Sequence, residues 1–176
     1  MCIRDRFVAI SAMPLVILYP LAKRFTKWPQ IILGLTFSWA VPTAWSAANE
    51  EWNLGIFIMY LATVFWIIGY DTIYGCQDKN EDEIFGIKNS AVSAKNFLTL
   101  FVGFAYCLMF CLLIISGYLL NNNIFWYIGV SICGLHLANQ VRKIKNIEKN
   151  NPLQIFKSNI VLGLFLTLSS LGNHIS

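Results

Sequence analysis

Five of the nine acidic residues in this 176-residue chain are Asp71, Asp78, Glu81, Asp82 and Glu83. They interrupt a strongly apolar sequence within GYDTIYGCQDKNEDEIFGIKNS, Gly69 to Ser90. If the preceding apolar helix runs on past Tyr70, Asp78 and Asp82 follow Asp71 by about two and three turns at ~3.6 residues per turn, and the three carboxylates share one face. Asp78 and Asp82 would then stand roughly 6 Å apart along the axis, a spacing suited to one or two shared hard cations. Mg²⁺ fits such a site, because it takes one or two carboxylates and completes its octahedron with substrate phosphates and water. The same run of charge also describes a solvated acidic loop between two membrane helices.

The elements that must position these carboxylates are apolar. Hydrophobic residues make up 57% of the chain and charged residues 12%, against about 45–50% and 25% in soluble domains, which identifies a membrane protein. Apolar stretches recur at Phe7 to Leu21, Ile31 to Ala48, Leu54 to Tyr70, Phe97 to Leu120, Ile124 to Ala138 and Ile160 to Leu171. They predict six transmembrane helices, several reaching the ~20 residues of a span only with flanking residues. The loops after the first, third and fifth hold Lys23, Arg24 and Lys27, then Lys79, Lys88 and Lys95, then Arg142, Lys143, Lys145, Lys149 and Lys157. Loops after the second and fourth hold no basic residue, so the positive-inside rule assigns the basic loops, and the acidic stretch with them, to the cytoplasm. The net charge of +4 reflects this orientation, and no interleaved basic and aromatic pattern suggests nucleic acid.

Arg4 and Arg6 fall on the opposite side. Met1 to Arg6 (MCIRDR) is therefore expected to be a non-native or truncated start, with residues 7–176 a single transmembrane domain whose N-terminal part is missing. Cys2, Cys76, Cys107, Cys111 and Cys133 form no CxxC pair, and Cys107 and Cys111 are expected to be small buried apolar residues. No Walker loop, HExxH or GxSxG occurs.

Along the chain, Pro20 is expected to kink or end the first helix. Lys27 reads as membrane anchoring, whereas Lys23 and Arg24 suit either anchoring or capture of an anionic group, since guanidinium pairs bidentately with carboxylate or phosphate. Trp45 belongs at an aromatic interface belt. Gly86 permits a tight turn after the acidic stretch, and Lys88 suits a phosphate or a neighbouring carboxylate. His136 and Asn139 read as polar helix contacts, Ser169 and Ser170 as bonded to backbone, and Arg142 to Lys149 as a contact with anionic lipid.

The stretch YDTIYGCQDKNEDEIFGIKNSA resembles the second aspartate-rich motif of the UbiA membrane prenyltransferases, most closely their 4-hydroxybenzoate polyprenyltransferase branch of ubiquinone biosynthesis. YPLAKRFTKWPQIILG (Tyr19 to Gly34) and FKSNIVLGLFL (Phe156 to Leu166) are similar to segments of the same branch in the same order. The resemblance implies an all-α bundle of about nine transmembrane helices, about six of them here, around a cavity, in a bacterial inner (cytoplasmic) membrane. It further implies Mg²⁺ held by Asp71, Asp78 and Asp82 against the diphosphate of a polyprenyl donor. Lys23 and Arg24 become candidates for the diphosphate or the acceptor's carboxylate, Lys88 for phosphate, and Tyr74 for the site wall. The implied reaction transfers the prenyl group to the ring carbon ortho to the hydroxyl of 4-hydroxybenzoate.

Two departures stand against the pattern. The family's first aspartate-rich motif has no match, since outside the cluster only Asp5, Glu50, Glu51 and Glu148 remain. GIKNSA, Gly86 to Ala91, also replaces the usual GIKSTA. The expectation is an incomplete and by itself inactive part of such an enzyme. The alternatives are a family member with another aromatic acceptor, or a noncatalytic membrane scaffold whose acidic loop binds a basic partner.

Overall fold

A computed structural model of the chain describes residues 3–48, 51–78, 84, 89–94, 97–147 and 150–172. Among these, every regular element is helical: α1 (Ile3–Ile10), α2 (Met13–Phe25), α3 (Pro29–Ser38), α4 (Ala40–Ala47), α5 (Leu54–Gly75), α6 (Ser90–Ser93), α7 (Leu98–Leu119), α8 (Ile124–Ile144), α9 (Pro152–Lys157) and α10 (Asn159–Gly172). Five stretches are long and apolar enough to cross a membrane: Ile3–Ala22, Leu54–Gly75, Leu98–Leu119, Ile124–Ile144 and Pro152–Gly172. The chain is an all-α, multi-pass membrane protein.

Prolines decide where helices break. A proline cannot donate to the carbonyl four residues back, and its ring crowds that carbonyl. Pro14 does this to Ile10, where α1 ends, and Pro42 does it to Ser38, where α3 ends. The stretch Ile31 to Ala48, expected as one of six spanning helices, is therefore two short helices meeting at Trp39. Pro20 does not end its helix, and α2 continues through it to Phe25. Asparagines start four of the helices: Asn53, Asn89, Asn123 and Asn151 each accept a backbone N–H from the following first turn, the usual N-cap device. Between α7 and α8, Asn121 takes a positive φ of 54°. The N–H groups of Asn121 and Asn122 return to the carbonyls of Tyr118 and Gly117, a Schellman closure.

The centre of the bundle is α5, which packs against α3, α4, α6, α7 and α9. Apolar lipid gives helices little hydrophobic reason to associate, so close approach of backbones and interhelical hydrogen bonds must hold them. On α5, Gly69 leaves the space that the Tyr106 ring of α7 fills; a Cβ there would lie 2.3 Å from Tyr106 Cε1. Tyr106 cannot swing away, because its hydroxyl donates to Gln140 Oε1 on α8 at 2.8 Å. Farther along, Ser116 donates to the Gly55 carbonyl and the Trp126 indole to the Leu113 carbonyl.

These contacts gather helix ends into two sets. The ends of α2, α5 and α8 and the starts of α3, α6, α7 and α9 lie together at one end, called here the acidic end. At the other, Asn123 reaches the Gly172 carbonyl and the Trp45 indole donates to the Glu51 carbonyl. Arg4 and Asp5, inside the segment expected to be foreign, belong to α1 and hydrogen-bond with Ser46. Large apolar side chains such as Ile17, Phe104, Leu135 and Leu164 face outward, as lipid contact requires. Cys107 and Cys111, expected to be buried, are exposed on the same outer surface of α7; in a bilayer the outside is apolar, so an apolar thiol need not be internal.

Gly69→Ala should destabilise the bundle by about 1–3 kcal/mol through overpacking against the pinned Tyr106. Gly103→Ala, whose Cβ would meet only Val141 Cγ1 at 3.7 Å, should leave stability unchanged or raise it by up to about 1 kcal/mol from helix propensity. Thermal unfolding in detergent distinguishes the two.

Candidate functional site at the acidic end

A buried set of amides closes the acidic end. Gln30, in the first turn of α3, donates from Nε2 to Asn89 Oδ1 at 3.0 Å. Asn89 donates from Nδ2 to the carbonyl of Gly75, the last residue of α5, at 3.0 Å. The Ser90 N–H returns to Gln30 Oε1 at 3.1 Å, and the Ser90 hydroxyl donates to the same oxygen. Asn89 Oδ1 also takes the Ala91 N–H at 3.0 Å. Gly75 permits the approach, because a Cβ there would stand 2.5 Å from Asn89 Oδ1. Gln30, Asn89 and Ser90 are all buried, so each unmade bond would cost about 1–3 kcal/mol. The clasp thereby fixes where the acidic segment leaves α5 and where it returns at α6. Around it, the Ser93 hydroxyl donates to the Lys27 carbonyl, and Trp28 packs on Phe101 with centroids 4.9 Å apart.

Asp71 lies one turn before the end of α5 and is half-buried. Its charge acts on the phenols of Tyr19 in α2 and of the adjacent Tyr70. Tyr70 and Tyr74, one turn apart, both meet Phe156 of α9, with centroids at 5.5 and 5.0 Å. Tyr70 in turn packs edge-on against Trp66 at 5.8 Å. Trp66 lines a cavity of about 330 Å³ together with Val41, Met59, Leu113, Trp126 and Leu166. An aromatic track thus leads from the carboxylate into an apolar cavity between α4, α5, α7, α8 and α10. Behind it, the Trp66 indole donates to Asn159 Oδ1 at 2.9 Å, and Gln140 donates to the Ser158 hydroxyl, also within reach of His136 Nε2.

The helix bearing Asp71 runs past Tyr70 but stops at Gly75, with Cys76 as its cap. Asp78 is exposed beyond that end, so it does not extend a helical carboxylate face from Asp71; Asn89 has taken the last carbonyl of α5 instead. Asp82 and Lys88 lie outside the described residues. Lys23 belongs to α2, its side chain undescribed, and Arg24 is exposed in the last turn of the same helix. The structure brings together Asp71 and Tyr74 and adds Tyr19, Tyr70 and Phe156, which sequence reasoning did not single out. Among the described residues no group of three or more His, Cys, Asp or Glu is placed to hold a metal. Asp71 and Asp78 are nonetheless hard oxygen donors, a chemistry compatible with Mg²⁺, and the thiol between them, Cys76, donates to the Thr72 carbonyl.

The three segments that resemble the family, far apart in sequence, meet here: Gln30 with Asn89, and Phe156 with Tyr70 and Tyr74. Residues 6–168 match the UbiA prenyltransferase family. The chain is 37% identical over 166 residues to a mitochondrial 4-hydroxybenzoate polyprenyltransferase of Dictyostelium discoideum, covering 90% of this chain and 34% of that protein. It is 37% identical over 168 residues to a 4-hydroxybenzoate octaprenyltransferase of Francisella tularensis subsp. novicida, covering 96% and 59%. A 4-hydroxybenzoate octaprenyltransferase of Salmonella paratyphi B is 32% identical over 163 residues, covering 92% and 56%. The chain thus spans between a third and three-fifths of the length of these relatives. No solved structure matches.

Gln30→Ala should open the clasp without unfolding the bundle. The amide of Ser90 loses its acceptor, and its hydrogen exchange should accelerate on the order of tenfold or more. Amides in the middle of α7 should keep their protection. Equal exchange at Ser90 in both proteins would contradict the role given to Gln30.

Proposed function

The chain belongs to the UbiA prenyltransferase family, and from that premise we propose that it carries the second aspartate-rich half of an aromatic polyprenyltransferase site. The reaction we assign to a complete protein of the relatives' length is transfer of a polyprenyl group from polyprenyl diphosphate to 4-hydroxybenzoate. The new bond forms at the ring carbon ortho to the hydroxyl, a step of ubiquinone biosynthesis. The observation that carries this reading is a half-buried carboxylate at the end where the three family-like segments converge, with an aromatic track leading from it toward an apolar cavity deeper in the bundle.

Each group has a task in this chemistry. Asp71, Asp78 and Asp82 would hold Mg²⁺, which when bound offsets the charge of the donor's diphosphate. Lys23, Arg24 and Lys88 would bind diphosphate oxygens or the acceptor's carboxylate, the guanidinium of Arg24 bidentately. As diphosphate departs, positive charge develops on the allylic carbon, and the faces of Tyr70, Tyr74 and Phe156 are suited to attract it. The acceptor ring attacks that carbon and then releases its ortho proton to restore aromaticity. The cavity behind Trp66 would take the prenyl chain and exclude water that would otherwise quench the cation. The positive-inside rule sets the acidic end toward the cytoplasm, in a bacterial inner membrane if the chain follows its bacterial relatives.

In a protein of the relatives' length carrying this chain, Asp71→Ala, Asp78→Ala and Asp82→Ala should each lower prenyl transfer to 4-hydroxybenzoate on the order of 100-fold or more. Transfer is measured with radiolabelled acceptor in reconstituted vesicles. Near-normal turnover in all three variants would reject the metal role. Transfer to another aromatic acceptor in preference to 4-hydroxybenzoate would keep the family chemistry and overturn the acceptor.

A further inference from the structure

A groove of about 690 Å³ runs along the α7–α8 pair. Gly103 and Cys107 line it from α7, Gly134 and Leu135 from α8, and no residue of α5 or α10 contributes. It is therefore distinct from the cavity behind Trp66. Leu135 is 75% exposed and Cys107 is exposed, so the groove opens sideways into the bilayer. Its floor is mostly apolar, and at the acidic end it finishes at Arg142 and Lys145. Among the described residues neither of these side chains has a hydrogen-bonding or ion-pair partner.

We propose that this groove seats one anionic phospholipid of the surrounding bilayer, its headgroup phosphate between Arg142 and Lys145 and an acyl chain along Gly103, Cys107 and Leu135. Two cations at one end of an apolar trough reproduce the head-to-tail layout of such a lipid, and basic pockets between transmembrane helices bind acidic headgroups on this principle. The guanidinium can grip a phosphate bidentately while the lysine acts as a point charge. A zwitterionic headgroup would bring its own ammonium against both cations. No carboxylate lines the groove, so it offers nothing to the metal that a prenyl diphosphate would carry, and the occupant is a lipid of the bilayer. Gly103 is what leaves room for the chain, since a Cβ there meets only Val141 Cγ1 at 3.7 Å.

The test compares the native protein with the Arg142→Gln/Lys145→Gln double variant and with Gly103→Leu, which fills the groove and leaves its charges intact. Each is reconstituted in phosphatidylcholine containing phosphatidylglycerol, and lipids retained after detergent release are identified by native mass spectrometry. The native protein should retain phosphatidylglycerol over phosphatidylcholine. The charge variant, altered only at accessible side chains and so expected to fold, should lose that preference on the order of tenfold. Gly103→Leu, with thermal unfolding as its folding control, should lose the retained lipid although both cations remain. Undiminished phosphatidylglycerol in the charge variant would overturn the proposal. So would loss in the charge variant but not in a folded Gly103→Leu protein, which would mean diffuse surface attraction. Displacement of phosphatidylglycerol by farnesyl diphosphate, or an intermolecular Cys107 disulfide under mild oxidation, would assign the groove to substrate or to a second copy and overturn it equally.

Discussion

Everything at the acidic end depends on one side-chain amide. Gln30 has its donor on Asn89 and its acceptor on Ser90, so it joins the start of α3 to the end of α5 and the start of α6 in a place closed to water. Buried amides of this kind must be satisfied together or not at all, because in a low dielectric an orphaned donor or acceptor is expensive. The consequence is positional. Asp71 is held one turn before a helix end that cannot drift, and the acidic segment beyond it starts and finishes at fixed points whatever path it takes between.

Much of this was legible in the sequence, and for identifiable reasons. Long apolar runs announce membrane helices because lipid leaves backbone groups no other partner, and the acidic cluster stands out against them. The spacing of Asp71 and Asp78 reads as helical if Gly75 is passed over, although a glycine there is itself a local stop signal. The carbonyl of Gly75 is taken by Asn89, fourteen residues on, and a side chain reaching a distant carbonyl leaves no periodic trace. Gln30 is equally hidden, although the segment containing it, Tyr19 to Gly34, resembles the family. The break at Trp39 was readable in principle, since Pro42 must disturb the carbonyl of Ser38; hydropathy, which counts side chains and not carbonyls, passes over it. Cys107 and Cys111 were misplaced by a rule about burial that holds in water and inverts in lipid.

The arrangement also divides labour along the membrane normal. The described charged residues of α5 to α9 lie toward the acidic end, where ions can be handled without paying the cost of carrying a carboxylate to the bilayer centre. Aromatic rings flank Asp71 on α5, Tyr70 and Tyr74 bridged by Phe156, and the apolar cavity behind Trp66 begins only after them. This gradient from hard ligands through polarizable faces to hydrocarbon matches a substrate with a diphosphate at one end, an allylic carbon next and a long chain behind. The groove on the far side of α7 and α8 repeats the pattern with cations in place of carboxylates, which suits a headgroup that brings no metal of its own.

The central claim is that carboxylates held by the Gln30 clasp bind the donor's leaving group through a divalent cation. The most direct measurement is the affinity of a protein of the relatives' length, carrying this chain, for farnesyl diphosphate, titrated with Mg²⁺ present and again after chelation, in the native and Gln30→Ala forms. The account predicts that chelation weakens binding to the native protein and that opening the clasp removes much of the magnesium-dependent gain. Equal affinity with and without the cation would contradict it.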